Sequence, residues 1–343
     1  MGLTAPRTLG FTLAGLAAIS TLVAQSSFEG ATVPPLDLVI GSATRLMVIA
    51  PHPDDETLGA AGLMRRVVGS GGAVHIVWMT SGDGFPEGVE TEEGIAHPNS
   101  QDYRSYGRIR DDEARAAVGV LGVTRSALTF LGFPDEGLCE LASTYLSAKA
   151  RAFESPFTER ITPPLTEQVI RGVRYRGTDV RRELERLITA FAPTVVLTVH
   201  PEDDHPDHCS THIFVREALE ALSRRGLTRP LLLHYLIHYA HWPLTEDAGL
   251  GHQLRPPDGF PTGQGRWTSL ALTPDEIAAK KEALLHYHSQ MVVMGRFMQG
   301  FARSNELFLE GEAAAVPECW CQNGVNVATE RSPEQYRRGP SRR

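Results

Sequence analysis

Cysteine is scarce in this chain of 343 residues: four in all, at positions 139, 209, 319 and 321. That is too few and too irregular for a disulfide scaffold. Cys319-x-Cys321 alone makes no structural zinc site, which needs four ligands. In an oxidising compartment Cys139 is expected to pair with one of the C-terminal two, and Cys209, inside a His-rich segment, is expected to be a buried thiol. Excess positive charge is also missing: 33 Lys and Arg face 41 Asp and Glu, for a net charge of -8. This excludes a generic binder of phosphate backbones, so no nucleic-acid partner is expected. There is no internal repeat. The apolar stretch from Leu9 to Ala24 falls short of the roughly 20 residues that span a bilayer comfortably. No cysteine follows it to take a lipid.

With Arg7 before it and Gln25-Ser26-Ser27 after it, that stretch has the order of a secretory signal. Residues 1–30 are therefore expected to be a signal peptide or an N-terminal anchor, and the protein to be exported, with membrane contact only if the segment stays uncleaved. The remainder has ordinary globular composition, 42% hydrophobic and 22% charged, enough for one large core with insertions. The main domain is expected over 40–312 and a loose tail over 313–343. Oligomeric state is not set by the sequence.

Strand-like apolar runs at Leu46–Ala50, Val74–Met79, Ala127–Leu131, Thr194–Val199 and Leu231–Tyr239 alternate with helical stretches at Thr57–Val68, Arg108–Gly119 and Val180–Phe191. A further helix, Pro274–Gln290, is N-capped by Thr273. Strand, helix, strand repeated in this way predicts an α/β fold, a doubly wound, mostly parallel sheet with helices on both faces. The segment of about 134–177, rich in Pro and without clear period, reads as an insertion near the site.

Two segments concentrate the unusual residues, and each follows a predicted strand, where such sheets bind ligands. One is His52-Pro53-Asp54-Asp55-Glu56. The other runs from His200 through His205-Pro206-Asp207-His208 to His212. A hydrolytic zinc ion takes about three His or carboxylate ligands and leaves one position for water. In the first segment a tight turn aims His52 and Asp55 at one point with Asp54 beside them; adjacent acids repel unless a cation compensates. The alternative is an acidic N-cap made by Asp54 or Asp55. In the second segment a helix beginning at Asp204 or Pro206 puts His205, His208 and His212 on one face. Spacing does not say which of them binds metal, and a surface His cluster is the alternative.

His52-Pro53-Asp54-Asp55-Glu56 together with His205-Pro206-Asp207-His208 resembles the N-acetylglucosaminyl deacetylase family, whose members include GlcNAc-phosphatidylinositol deacetylases and those of mycothiol and bacillithiol synthesis. The likeness runs from about Leu46 to Phe308. It takes in Arg110-x-x-Glu113 and Phe130-Leu131-Gly132-Phe133, with short motifs near Lys281, Ser289-Gln290 and Arg303-x-x-Glu306. The insertion and leader resemble an exported bacterial branch. The resemblance implies metal-dependent hydrolysis of an N-acyl, typically N-acetyl, group on an amino sugar or glycoconjugate, a small-molecule or glycan substrate. It makes His52, Asp55 and His208 ligands of zinc, or alternatively ferrous iron. Asp54 becomes the general base, and His205 the cationic group that stabilises the tetrahedral intermediate. Asp207 becomes an outer carboxylate orienting a histidine. Arg110 is expected to hold a polar group of the substrate, or to pair with Glu113. Asp83 is expected to bind a sugar hydroxyl, or simply to make a turn. Trp242 and Trp267 either stack on a sugar or pack in the core. Asp203 stands where some thiol-pathway members have tyrosine, which removes that tyrosine's assistance. The alternatives to a deacetylase are a carbohydrate-binding pseudoenzyme and an amidase acting on a larger N-acyl group or a thiol conjugate.

Overall fold

The computed structural model describes residues 33–243, 252–263 and 265–311. The expected leader, the C-terminal tail, Cys319 and Cys321 lie outside them. Seven strands form one sheet in the order β3-β2-β1-β4-β5-β7-β6. They are β1 (Arg45–Ala50), β2 (Ala73–Thr80), β3 (Leu128–Phe133), β4 (Val195–Val199), β5 (Leu231–Tyr235), β6 (Arg266–Ala271) and β7 (Asn305–Glu310). The first five pair in parallel, and β7 joins β5 and β6 antiparallel. The sheet is thus mostly parallel, as its apolar strands imply.

Side chains alternate across a strand, so β1 feeds both faces. Leu46, Val48 and Ala50 enter one core, with residues of α1 (Asp55–Gly69), α3 (Ser100–Val120) and α7 (Pro274–Leu285). Met47 and Ile49 enter the other, with residues of α5 (Gly177–Phe191) and α6 (Pro206–Arg224). All five side chains are fully buried. Burial of this kind is worth about 1.5–3 kcal/mol for each large apolar side chain.

The chain order sets the site. From β1 it winds outward to β2 and β3, then returns to lay β4 on the other side of β1. The β1 and β4 ends are therefore neighbours at the point where the winding reverses, and a crevice opens between their following loops.

One helical expectation changes. The helix expected over Pro274–Gln290 is two, α7 and α8 (His288–Gln299), broken at His286-Tyr287. Thr273 does cap α7, with Glu276 completing a capping box. The remaining helices are α2 (Pro86–Glu93), ahead of α3, and α4 (Leu138–Ala142), which lies inside the insertion. Although the insertion is mostly irregular, Leu138, Leu141 and Tyr175 pack into the second core. Among the described residues no helix is long and apolar enough to cross a membrane.

Candidate metal centre

The loop after β1 is tight. Asp54 sits at φ 130°, where L side chains rarely go, a strain of about 1–3 kcal/mol that surrounding contacts must hold. Those contacts are present. Arg110 of α3 donates to the Pro53 carbonyl at 2.7 Å and the Gly82 carbonyl at 2.8 Å, and lies 3.3 Å from the Asp54 carboxylate. The Asp54 amide donates to Glu56 Oε2 at 3.2 Å. Glu56 is fully buried and also accepts from the Trp78 indole at 2.8 Å and from the Tyr287 hydroxyl. Gly82 is required beneath Arg110: its φ is +62°, and a Cβ there meets the guanidinium at 1.9 Å.

Asp54 occupies the N-cap position of α1 but makes no side-chain cap bond, so the acidic N-cap alternative fails. With its backbone pinned, the loop presents three ligand-type atoms together. His52 Nδ1 and Asp55 Oδ2 are 3.3 Å apart, and each lies 3.2 Å from His208 Nε2. Bonds of about 2.0 Å to a tetrahedral ion place neighbouring ligand atoms about 3.3 Å apart. The three residues therefore fit one divalent cation with a fourth position open.

Carboxylates stand behind both rings. His52 Nε2 meets Asp135 Oδ1 at 3.0 Å and Asp207 Oδ2 at 3.6 Å. His208 Nδ1 meets Asp203 Oδ1 at 3.2 Å. Such outer partners fix a ligand ring's orientation and raise its basicity. Burial opposes charge on His208, but Asp203 and Asp55 outweigh it and lift the imidazole to about 9. His52 is likewise lifted well above its ordinary range, Asp135 overcoming burial. Burial pushes the other way on Asp55, yet His208 and His52 hold it well below the usual carboxylate range. Asp54 differs from all of these: burial carries it up to about 8 despite Arg110.

Asp203 explains what stands in place of the tyrosine. Its Oδ2 accepts the Ile237 and His238 amides at 2.9 Å each, locking the loop after β5 to the loop after β4. His238 then stacks on Phe297 of α8 and lies 5.0 Å, ring to ring, from His208. Neither Asp135 nor His238 was singled out in the sequence. Asp135 follows the Phe130–Phe133 motif by two residues, which was its one available signal.

Several expected roles change with the geometry. Arg110 is 4% exposed, with Nη2 on the Pro53 carbonyl and Nη1 on the Gly82 carbonyl, so the structure shows it supporting the site from behind. It does not pair with Glu113, which accepts instead from the Ser289 amide and hydroxyl. Asp207, expected as an outer carboxylate beside a histidine, has the His52 ring as its neighbour. Its carboxylate accepts from the amides of Glu136 at 2.7 Å and Leu138 at 3.0 Å and approaches His52.

Asp83 is half-buried near Asp135, Arg160 and Glu167, and burial raises it to about 7. Of the three histidines placed on one helical face, His205 is the N-cap of α6, His208 reaches the metal ligands, and His212 packs instead on His234. Trp242 is 8% exposed and Trp267 packs on Phe260, so both are core residues. Cys209 is disulfide-bonded, as is Cys139, so the expected free thiol is absent. Near Lys281, it is Lys280 that is buried, donating to Glu306 at 2.8 Å.

Residues 47–219, half of the chain, match the model of the PIG-L family, described as GlcNAc-PI de-N-acetylase. A 1D-myo-inositol 2-acetamido-2-deoxy-alpha-D-glucopyranoside deacetylase of Rhodococcus opacus (strain B4) is 28% identical over 284 residues, covering 78% of this chain and 88% of the relative. The enzyme of the same name from Rhodococcus jostii (strain RHA1) is 31% identical over 186 residues, 52% of this chain and 54% of its own. Among solved structures, a deacetylase of an antimicrobial reagent's pseudoaglycone superposes with a TM-score of 0.50 at 20% identity, over 80% of this chain and 99% of that one. That likeness concerns the fold.

Proposed function

The chain belongs to the PIG-L family of GlcNAc-PI de-N-acetylases, and from that premise we propose that it is a zinc-dependent hydrolase removing the N-acetyl group from an N-acetylglucosamine conjugate. One observation carries the reading: three ligand atoms at mutual distances of 3.2–3.3 Å beside a carboxyl, Asp54, that burial lifts to about 8. His52, Asp55 and His208 would hold a divalent ion, which when bound would acidify a water and polarise the amide carbonyl.

The chain's own groups do the rest. Asp54 takes the proton of the attacking water and later delivers one to the departing amine, a task suited to a carboxyl whose proton affinity burial raises and which a cation beside it would bring back towards neutrality. Arg110 and Glu56 keep its strained backbone in place. His205 donates from its ring to the oxygen that becomes negative as the carbon turns tetrahedral. Asp135, Asp203 and Asp207 hold the ligand rings. A pure sugar binder needs no such base beside the ligands.

The catalytic domain corresponds to about 40–312, with the 134–177 insertion at the site. We assign the protein to an exported location, cleaved or N-terminally anchored at 1–30, and the disulfide-bonded state of Cys139 and Cys209 supports that assignment. The test is acetate release from a panel of N-acetylglucosamine conjugates, with inositol, lipid and peptidic aglycones and graded acyl lengths, by chelated enzyme reloaded with zinc or ferrous iron. Metal-dependent acetate release supports the reading. No release from metal-loaded enzyme on any acetyl substrate overturns it, and release of longer acyl groups alone moves the substrate class.

A further inference from the structure

We infer that Glu136 is the positioning residue for His205, acting through a closed ring of two hydrogen bonds and one carboxylate–imidazole contact that ties the insertion to the start of α6. Its catalytic part rests on the deacetylase reading.

Because α6 opens on Pro206, which has no amide hydrogen, the first free amide of the helix is that of Asp207. His205 caps it: the Asp207 amide donates to His205 Nδ1 at 3.2 Å. With Nδ1 accepting, the ring proton belongs on Nε2. That atom faces the Glu136 carboxylate, 3.2 Å away. The Glu136 amide in turn donates to Asp207 Oδ2 at 2.7 Å, which closes the ring.

The backbone of Glu136 makes a structural accident a poor explanation. Its φ is +57°, in the left-handed region where glycine is the ordinary occupant. Nor is the strain offset by deep burial, since the side chain is 27% exposed. What the conformation does provide is a carboxylate over His205 Nε2 and an amide under Asp207 at the same time. Rotation of the His205 ring by half a turn exchanges its nitrogens for carbons and breaks two of the three links. Glu136 therefore fixes both the orientation and the tautomer of His205, and the Nε2 hydrogen that it faces in the resting enzyme is the one a developing oxyanion takes over, without Glu136 touching substrate itself.

The test uses the full-length, zinc-loaded chain and three readouts: long-range 1H–15N NMR of the His205 ring, the thermal midpoint, and kcat against KM on whichever acetylated conjugate the panel identifies as a substrate. In the wild type the ring is expected as a single Nε2-protonated tautomer. In Glu136→Gly the left-handed backbone is relieved, so the thermal midpoint does not fall, while the ring signal averages between tautomers. Its kcat drops about tenfold with KM little changed, short of the roughly 10²–10³ lost with a whole oxyanion donor. Glu136→Gln keeps an accepting oxygen and restores both the ring signal and most of kcat. A fixed tautomer in Glu136→Gly, or a kcat equal to or above that of the wild type, overturns the proposal. The NMR readout needs no turnover. A wild type without deacetylase activity but with a Glu136-dependent ring signal therefore defeats the catalytic reading and spares the positioning role.

Discussion

Two groups of buried histidines lie one helical turn apart on α6 and behave in opposite ways. His208 belongs to the first, with His52; His212 belongs to the second, with His200 and His234, their rings 5.0 and 5.6 Å from that of His234. All three of the second group are at most 3% exposed. Depth of burial does not separate them from His52 and His208. Carboxylates do: Asp55, Asp135 and Asp203 lift the first pair, whereas burial drives the second group down, aided at His200 and His212 by repulsion from neighbouring histidines, with His200 at about 3 and His234 at about 4. Of those acids Asp203 alone reaches the second group, and only at His200. A field that stabilises imidazolium also stabilises a divalent cation, so the same arithmetic separates a metal site from a neutral polar core.

The largest effects that could break this comparison are at the first group. His208→Ala is expected to lose both bound metal and turnover, whereas Asp54→Ala keeps the metal and loses about 10²–10⁴ in kcat. Metal content by atomic emission, measured beside acetate release, separates the two. His212→Ala should keep its metal; if it loses as much as His208→Ala, the division between the groups is wrong.

Acid stability tests the second group. A histidine held at about 4 in the fold but near 6.5 when unfolded is neutral in the native state, and the unfolded chain gains its proton first as pH falls. His234 thus contributes fully above pH 6.5, and its contribution is lost between 6.5 and about 4, to the extent of about 3 kcal/mol. Replacing it by leucine removes that slope. Urea unfolding at pH 8 and at pH 4.5 should find His234→Leu closer to, or above, the wild type at the lower pH. Parallel acid losses in the two proteins would mean that His234 is not buried neutral.

Much of this was legible in the sequence, and the reason is local. His52, Asp54 and Asp55 are contiguous, and His205 and His208 share a helix start, so strand ends and spacing brought them together. The five parallel strands followed from apolar runs. What escaped was non-local. Asp135 and Glu136 come from an aperiodic insertion whose path no periodicity predicts, and β7 returns antiparallel to β5 from the far end of the chain. Arg110 looked like a ligand for substrate because sequence cannot show that its partners are the Pro53 and Gly82 carbonyls. The α7 pattern continued smoothly into α8 because the break at His286-Tyr287 serves a tertiary contact, the Tyr287 hydroxyl on Glu56.

Asp203 sharpens the comparison most finely, because one carboxylate touches both groups. Its Oδ1 holds His208, its Oδ2 holds the Ile237 and His238 amides, and its charge is felt by His200. Burial opposes its ionisation, but His208 outweighs this and keeps it at about 2, so at neutral pH it is a fixed negative charge. Asp203→Asn preserves the shape and an accepting oxygen for the two amides while removing both that charge and the acceptor facing His208 Nδ1. Zinc affinity by chelator competition is expected to fall about 10–100-fold, the range for outer carboxylates of metal-bound histidines, with the loop after β5 still ordered. His200 loses its one favourable charge and becomes still harder to protonate. Unchanged zinc affinity in Asp203→Asn would show that His208 needs neither the charge nor the oxygen of Asp203, and the electrostatic distinction between the two histidine groups would then have to rest on Asp55 and Asp135.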